Sequence, residues 1–502
     1  MSYYLTFDLG TTALKTALVT DDGRLAGVSV REYTPRQPKP GFMEMDPQVY
    51  WQAAVEGTHQ VLAGVAGLAD SRAHPPEVKA IGFSSQGQTF VPLDRSGKPL
   101  YDAIVWLDNR AQSIAERWQA AWLSPDSFHR TSGYPWIPAG LTVFKIAWLR
   151  ENIPTLPPNV AKYLWLPDYL IYRLTGETVT DTVTARMGGL FNYRTGDWEP
   201  ALLAASGVTP EQLPTVLPPG SIAGRLSRQA ASELGLPAGI PVCTGANDQL
   251  VGGIGAGNVQ PGMVTETTGT ALAVVTTTTA PLDDLRVTVG SHALPGLYYA
   301  MAFANTSAVL LTWLRELCDK CSQDYDTFLQ DTASVPPGCE GLCVLPHFMG
   351  AIPPYGDPAA RGAFIGLTLS HRRAHLARAI MEACACLLRE CLEPVHDQKV
   401  EIHQVRSLGG AARNDLWLQM KADMLGLPVE RPAMAETASL GAAMLAATAL
   451  GQFANLSEAA AAWYRPSAVF TPNATLSQVY QQVYNRYQRY SRLLYGSFAN
   501  NL

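Results

Sequence analysis

Four short segments carry groups able to bind phosphate or move a proton. In Asp8-x-Gly10-Thr11-Thr12-x2-Lys15 a β-type run reaches a carboxylate and then turns tightly. Glycine lets backbone approach a ligand, and threonine hydroxyls with exposed N–H groups can cradle phosphate oxygens. Asp8 can hold hydrated Mg2+, which favours carboxylate and water oxygens, and Lys15 could add a point charge. Thr267-Thr268-Gly269-Thr270 repeats the cradle logic in the second half. In Gly245-Ala246-Asn247-Asp248-Gln249 a lone acid follows an apolar strand, placed to act as general base on a hydroxyl. Gly409-Gly410, between the strand-like HQVRSL and a helix, would let a flat ring lie on the backbone. Plainer accounts exist for each: ordinary hairpins, a helix N-cap for Asp248, and tight strand–helix packing for the glycine pair.

The elements that must position these residues follow from periodicity. YYLTFDL and ALKTALVT read as strands around the Gly-Thr turn, and Asp22-Gly23 marks a hairpin to a third strand. Asp46-Pro47 opens a helix, as N-cap and first helical position. VKAIGFS reads as a buried strand, SSQGQ as a loop, and 109–122 and 141–151 as helices. MVTETTGTALAVVTT can be laid on FDLGTTALKTALVT, with Gly10 and Gly269 separated by about half of the chain. This suggests two related halves. The later part is mostly helical, and its last helix carries a tyrosine stripe at 480, 484, 487 and 490.

Composition bounds the function. The 502 residues include only 16% charged, with a net charge of -6. That excludes a disordered chain and offers no basic face for nucleic acid. No signal peptide or membrane span is expected, and eight cysteines confined to Cys243–Cys391 read as free thiols of a cytoplasmic protein. Cys318, Cys321, Cys339 and Cys343 have zinc-like spacing but sit in helix and strand patterns, with no histidine at ligand spacing. GGIGAG does not end a strand, so it reads as small residues for packing, and a Walker A loop is absent.

Together these residues resemble the FGGY family of carbohydrate kinases, within the actin-like ATPase superfamily. GLTVFKIAWLREN (140–152) and GAFIGLTLSHRRAHLARAIME (362–382) look like its two signatures. DLGTTALK, TTGTA and GGAARNDLWLQMKADMLGLPVERP look like its phosphate and adenosine motifs. The resemblance implies an α/β fold of two ribonuclease-H-like domains flanking a catalytic cleft, 1–244 and 245–502, with ATP and Mg2+. It implies Asp248 as catalytic base and Asp8 as the acid organising Mg2+, through water. Gly10, Thr11, Thr12, Lys15, Gly269 and Thr270 would meet phosphates, and Gly409, Gly410, Ala411 and Asn414 adenosine. Gln86, Gly87, Gln88, Trp106, Asp108, Arg110, Asn247 and Asp248 would line the acceptor site.

SSQGQ and WLDNR look most like the xylulose kinase branch, with Gly87 and Gln88 in place of its Met-His and without the Arg-Glu pair of glycerol kinases. The expectation is an ATP-dependent kinase of a small ketose, D-xylulose first. The alternatives are a kinase of ribulose, erythritol or glycerol, or an actin-like ATPase without sugar transfer. A homodimer is the default assembly.

Overall fold

Strand β1 (Ser2–Leu9) is covered on both faces, as befits the centre of a sheet. Its partners are β2 (Ala13–Thr20), β3 (Leu25–Glu32), β4 (Glu77–Ser85), β5 (Ile222–Arg225) and β6 (Pro241–Cys243), in the order β5-β6-β4-β1-β2-β3. β1, β4 and β6 are parallel and the others antiparallel to their neighbours. The structure is a computed structural model describing residues 2–68, 76–318, 320, 323–351 and 356–498. Cys321 of the cysteine set lies outside the described residues.

A second sheet repeats the first. It contains β7 (Met263–Thr268), β8 (Leu272–Thr278), β9 (Thr288–Ser291), β10 (Tyr298–Ala304), β11 (Gln404–Leu408), β12 (Val429–Pro432) and β13 (Pro466–Phe470). Read from β13, its order is β13-β12-β11-β7-β8-β10-β9. Position by position, every pairing keeps the sense of the first sheet, and β9 is an added edge. The internal repeat seen faintly at Gly10 and Gly269 is therefore a repeat of whole sheets. These are twin ribonuclease-H-like lobes of the actin-like ATPase type.

The helices follow their sequence signals. Asp46 caps α1 (Pro47–Leu68) through Gln48 N–H at 2.9 Å. α2 (Thr142–Asn152) occupies most of the first signature. α3 (Asp248–Gly255), α4 (Arg373–Asp397), α5 (Asp415–Leu425) and α6 (Thr437–Ala449) complete the set that matters here. α6 is buried nearly all round, as a helix between two layers must be. It packs on β1 and β4 of the first sheet and on α3, while α3 reaches β8 of the second. Glycine permits this crossing: a Cβ on Gly441 would lie 2.0 Å from Val251 O, and one on Gly255 1.9 Å from Thr437 O. GGIGAG is thus a packing element.

Tyr480, Tyr484 and Tyr487 are buried, so the tyrosine stripe is a packing face. In the helix Val309–Leu317, Leu310, Leu311 and Leu314 are buried, whereas Leu317 is exposed. Among the described residues the cysteines are free thiols and no cluster suited to a metal ion occurs. No helix among them is long and apolar enough to cross a membrane.

Candidate active site

The carboxyl ends of β1, β4 and β6 meet at one place, the usual location of a ligand crevice in a parallel sheet. Asp8 lies one residue from the end of β1. Its Oδ1 accepts from Ser84 Oγ at 2.8 Å. Burial raises its pKa, with Ser84 and Lys15 opposing and Glu436 adding to the rise. After β6 the chain continues alongside β4, where Ser85 N donates to Ala246 O at 3.2 Å and Ser85 bridges Asn247. Asn247 caps α3 by accepting from Gln249 N, so Asp248 is the first helical residue and not the cap. The Asp248 carboxylate accepts from Gln249 N at 2.8 Å. Burial, and then the charge of Asp8, push its pKa up to about 7. Two buried acids, the charge of one raising the pKa of the other, fit a divalent cation held by few protein ligands, the rest being water and phosphate oxygens.

The Gly10 turn is braced from behind. Gly10 O accepts from Tyr33 Oη at 2.7 Å and from Gln86 Nε2 at 2.9 Å. Thr12 is exposed at the tip and Thr11 accepts from the Trp106 indole N–H at 2.8 Å. Trp106, 39% exposed, walls the space beside the turn. Lys15 leaves the strand toward the other lobe, where it pairs with Glu436 at 2.7 Å just before α6.

In the second lobe, Gly269 follows β7 and Gly409-Gly410 follow the adjacent parallel strand β11. Gly409 has φ 79, and a Cβ there would come within 3.2 Å of Thr267, so only glycine suits the position. Gly410 has open space where a side chain would be, a Cβ on Gly269 would meet only Ala271 O at 4.0 Å, and Thr270 is exposed. Ala411 is buried, and Asn414 caps α5 by accepting from Trp417 N at 2.9 Å.

The residues expected at the acceptor site are not equally open to a ligand. Asp108 and Arg110 are bonded to each other at 2.7 Å with no side-chain surface exposed, and Arg110 also pairs with Glu44. Asp108 further accepts from Met43 N. A sealed ion pair of this kind cannot touch a sugar; it fixes the chain that presents Trp106. Gln86 is buried and spent on Gly10 O, and Gly87 is packed on Met187. Only Gln88 of that loop turns outward. It holds φ 60, a conformation that non-glycine residues seldom adopt and that clusters at functional sites. Gln88 Nε2 donates to Tyr134 Oη at 2.7 Å.

Tyr134 was not singled out in the sequence, where one tyrosine in a loop carries no signal. Nor was Lys145, within the first signature. It is fully buried, donates to Val105 O at 2.8 Å, and has its pKa pushed down to about 7 by burial. Thr142 donates to Gln88 O at 3.0 Å. The signature helix α2 thus holds Gln88 and Trp106 in place rather than supplying chemistry.

Twin lobes, each with a glycine loop at the end of its first strand, and acids where the parallel strands of the first end, are the architecture of the actin-like ATPase class. The profile of the FGGY family of carbohydrate kinases, N-terminal domain, matches residues 3–255, and that of its C-terminal domain matches 264–450. A glycerol kinase of Thermococcus gammatolerans is 32% identical over 491 residues, spanning 94% of this chain and 93% of that protein. A xylulose kinase of Staphylococcus xylosus is 27% identical over 491 residues, spanning 97% and 99%. The crystal structure of ligand-bound xylulose kinase from Lactobacillus acidophilus superposes with a TM-score of 0.91 at 25% identity over 100% of both chains. This chain belongs to the FGGY family of carbohydrate kinases and is an ATP-dependent sugar kinase. Glycerol and xylulose kinases match comparably, so the family follows from the comparison and the acceptor does not.

Proposed function

We propose that the protein transfers the γ-phosphoryl group of ATP to a small ketose, D-xylulose first, giving D-xylulose 5-phosphate. The observation that carries the reading is the half-buried Asp248 carboxylate, poised at about 7 beside Asp8 where β1, β4 and β6 end. A base near neutral pKa is ionised under working conditions yet still accepts a proton. Asp248 takes the acceptor hydroxyl's proton as that oxygen attacks the γ-phosphorus, and ADP leaves. Thr11 and Thr12 from one lobe and Thr270 from the other supply N–H and hydroxyl donors to the phosphates, while Gly10 and Gly269, whose own N–H groups close the turns onto Ala13 O and Ala271 O, let the backbone approach them. Gly409 and Gly410 make room for the adenosine ring system. Asp8 would hold Mg2+ through water; the bound cation supplies charge neutralisation at the phosphates. Residues 1–244 are the acceptor lobe in this reading and 245–502 the nucleotide lobe.

Support for a neutral, hydroxyl-rich acceptor comes from Gln88, an amide that can both donate and accept, held by its bond to the buried Tyr134. Glycerol is the runner-up, favoured by the 32% identical glycerol kinase. The test is a panel of D-xylulose, ribulose, erythritol and glycerol with coupled detection of ADP. D-Xylulose is expected to give the highest kcat/KM. Equal turnover of glycerol would overturn the ketose assignment, and turnover of none would overturn the kinase reading for these acceptors.

A further inference from the structure

Beneath the second glycine loop lies an ion pair with no exposed side-chain surface. Lys421 of α5 meets Glu266 of β7. The ammonium also donates to Thr268 Oγ1 at 3.0 Å and Ser407 Oγ at 3.2 Å, which uses all three of its protons. Glu266 accepts in addition from Thr268 Oγ1 at 2.6 Å and from Ser407. The four side chains thus join three elements. Thr268 directly precedes Gly269, and Ser407 stands two residues before Gly409.

The fold does not require charge there. In the first lobe, the residue three before the loop glycine is Phe7, as Glu266 is three before Gly269. Phe7 pairs in register with Phe83, as Glu266 pairs with Ser407. The two phenylalanines pack with ring centroids 5.6 Å apart. One sheet therefore fills this position with apolar rings, while its twin places a desolvated lysine and glutamate. Buried ion pairs are often no more stabilising than apolar residues of equal volume, so stability alone is a weak reason for this one. What differs between the lobes is what lies above. In the second lobe two glycine loops, on adjacent strands, must share one nucleotide.

We propose that Lys421 is a positioning residue for the nucleotide: with Glu266, Thr268 and Ser407 it ties the Thr268–Thr270 loop to the Gly409–Gly410 loop and fixes their spacing. This rests on the reading of these loops as the ATP site. The assay is calorimetric binding of Mg-ADP to the full chain, with thermal melting and, where turnover is found, separate KM values for ATP and acceptor. Lys421→Met is expected to weaken Mg-ADP about tenfold or more and to lower Tm, because Glu266 is left without its partner. Glu266→Leu with Lys421→Met copies the apolar arrangement of the first lobe. It is expected to recover most of the Tm but not the Mg-ADP affinity, with the acceptor KM within about twofold of wild type. A structural role alone would restore both. Ser407→Ala removes one bond to each charged partner without removing a charge and is expected to weaken Mg-ADP about threefold, which decides the matter if the charge variants do not fold. Wild-type Mg-ADP affinity in the folded double variant, or in Ser407→Ala if only that folds, overturns the proposal. A wild-type protein that binds no Mg-ADP would instead overturn the ATP-site reading beneath it.

Discussion

Replacing Asp248 by asparagine separates chemistry from architecture. Burial first and Asp8 second move this carboxyl from the ordinary 3.8 to about 7. A folded pKa above the unfolded one means that the native state holds the proton more tightly. The stability this contributes is complete below about pH 4 and is lost as pH rises through 7. Above that, the ionised group burdens the fold by roughly 4 kcal/mol at most. Asparagine keeps the size and an oxygen able to accept from Gln249 N–H. Asp248→Asn is therefore expected to melt several degrees higher than wild type at pH 8, with the gap closing as pH falls toward 5. The same change removes the proton acceptor, and general bases contribute roughly 10²–10⁴-fold. ADP release measured at saturating ATP and acceptor should fall by that factor, while Mg-ADP binding stays within about twofold. A kcat within tenfold of wild type would refute the base assignment. A lower Tm at pH 8 would refute the account of burial.

Wild-type kcat/KM should show an acid limb centred near pH 7, activity falling as Asp248 takes up its proton; a flat profile from pH 5.5 to 8 would speak against it. Gln88→Ala loses the bond to Tyr134 and should lower acceptor kcat/KM roughly tenfold, with ATP KM unchanged. Lys15→Met breaks a partly exposed pair with Glu436 and should cost less than about 1 kcal/mol in urea melts. Its ATP KM should rise several-fold if Lys15 meets phosphate, and an unchanged KM would remove it from the site. Gly441→Val drives side-chain atoms into Val251 O and should cost more than about 3 kcal/mol, because backbone cannot yield as a flexible side chain can.

The strands, the turns and the identity of the loop residues were legible in short stretches of chain. A Gly-Thr turn between two β-rich runs, an Asp-Pro helix start and a glycine pair after a strand are local signals, written within a few residues of where they act. The comparison of Gly10 with Gly269 pointed to a duplication, but whole-sheet equivalence depends on which strands pair across hundreds of residues. Tertiary structure alone decided what became of the charged residues. Asp108 and Arg110 looked like sugar ligands, yet Glu44 and Met43, distant in the chain, close around them. Tyr134 comes to hold Gln88 only because its loop folds beside it. Lys421 and Glu266 are unremarkable polar residues until β7, β11 and α5 bring them together out of water. The proton affinity of Asp248 likewise has no sequence signature, since it is set by the desolvation and the neighbouring charge that folding imposes.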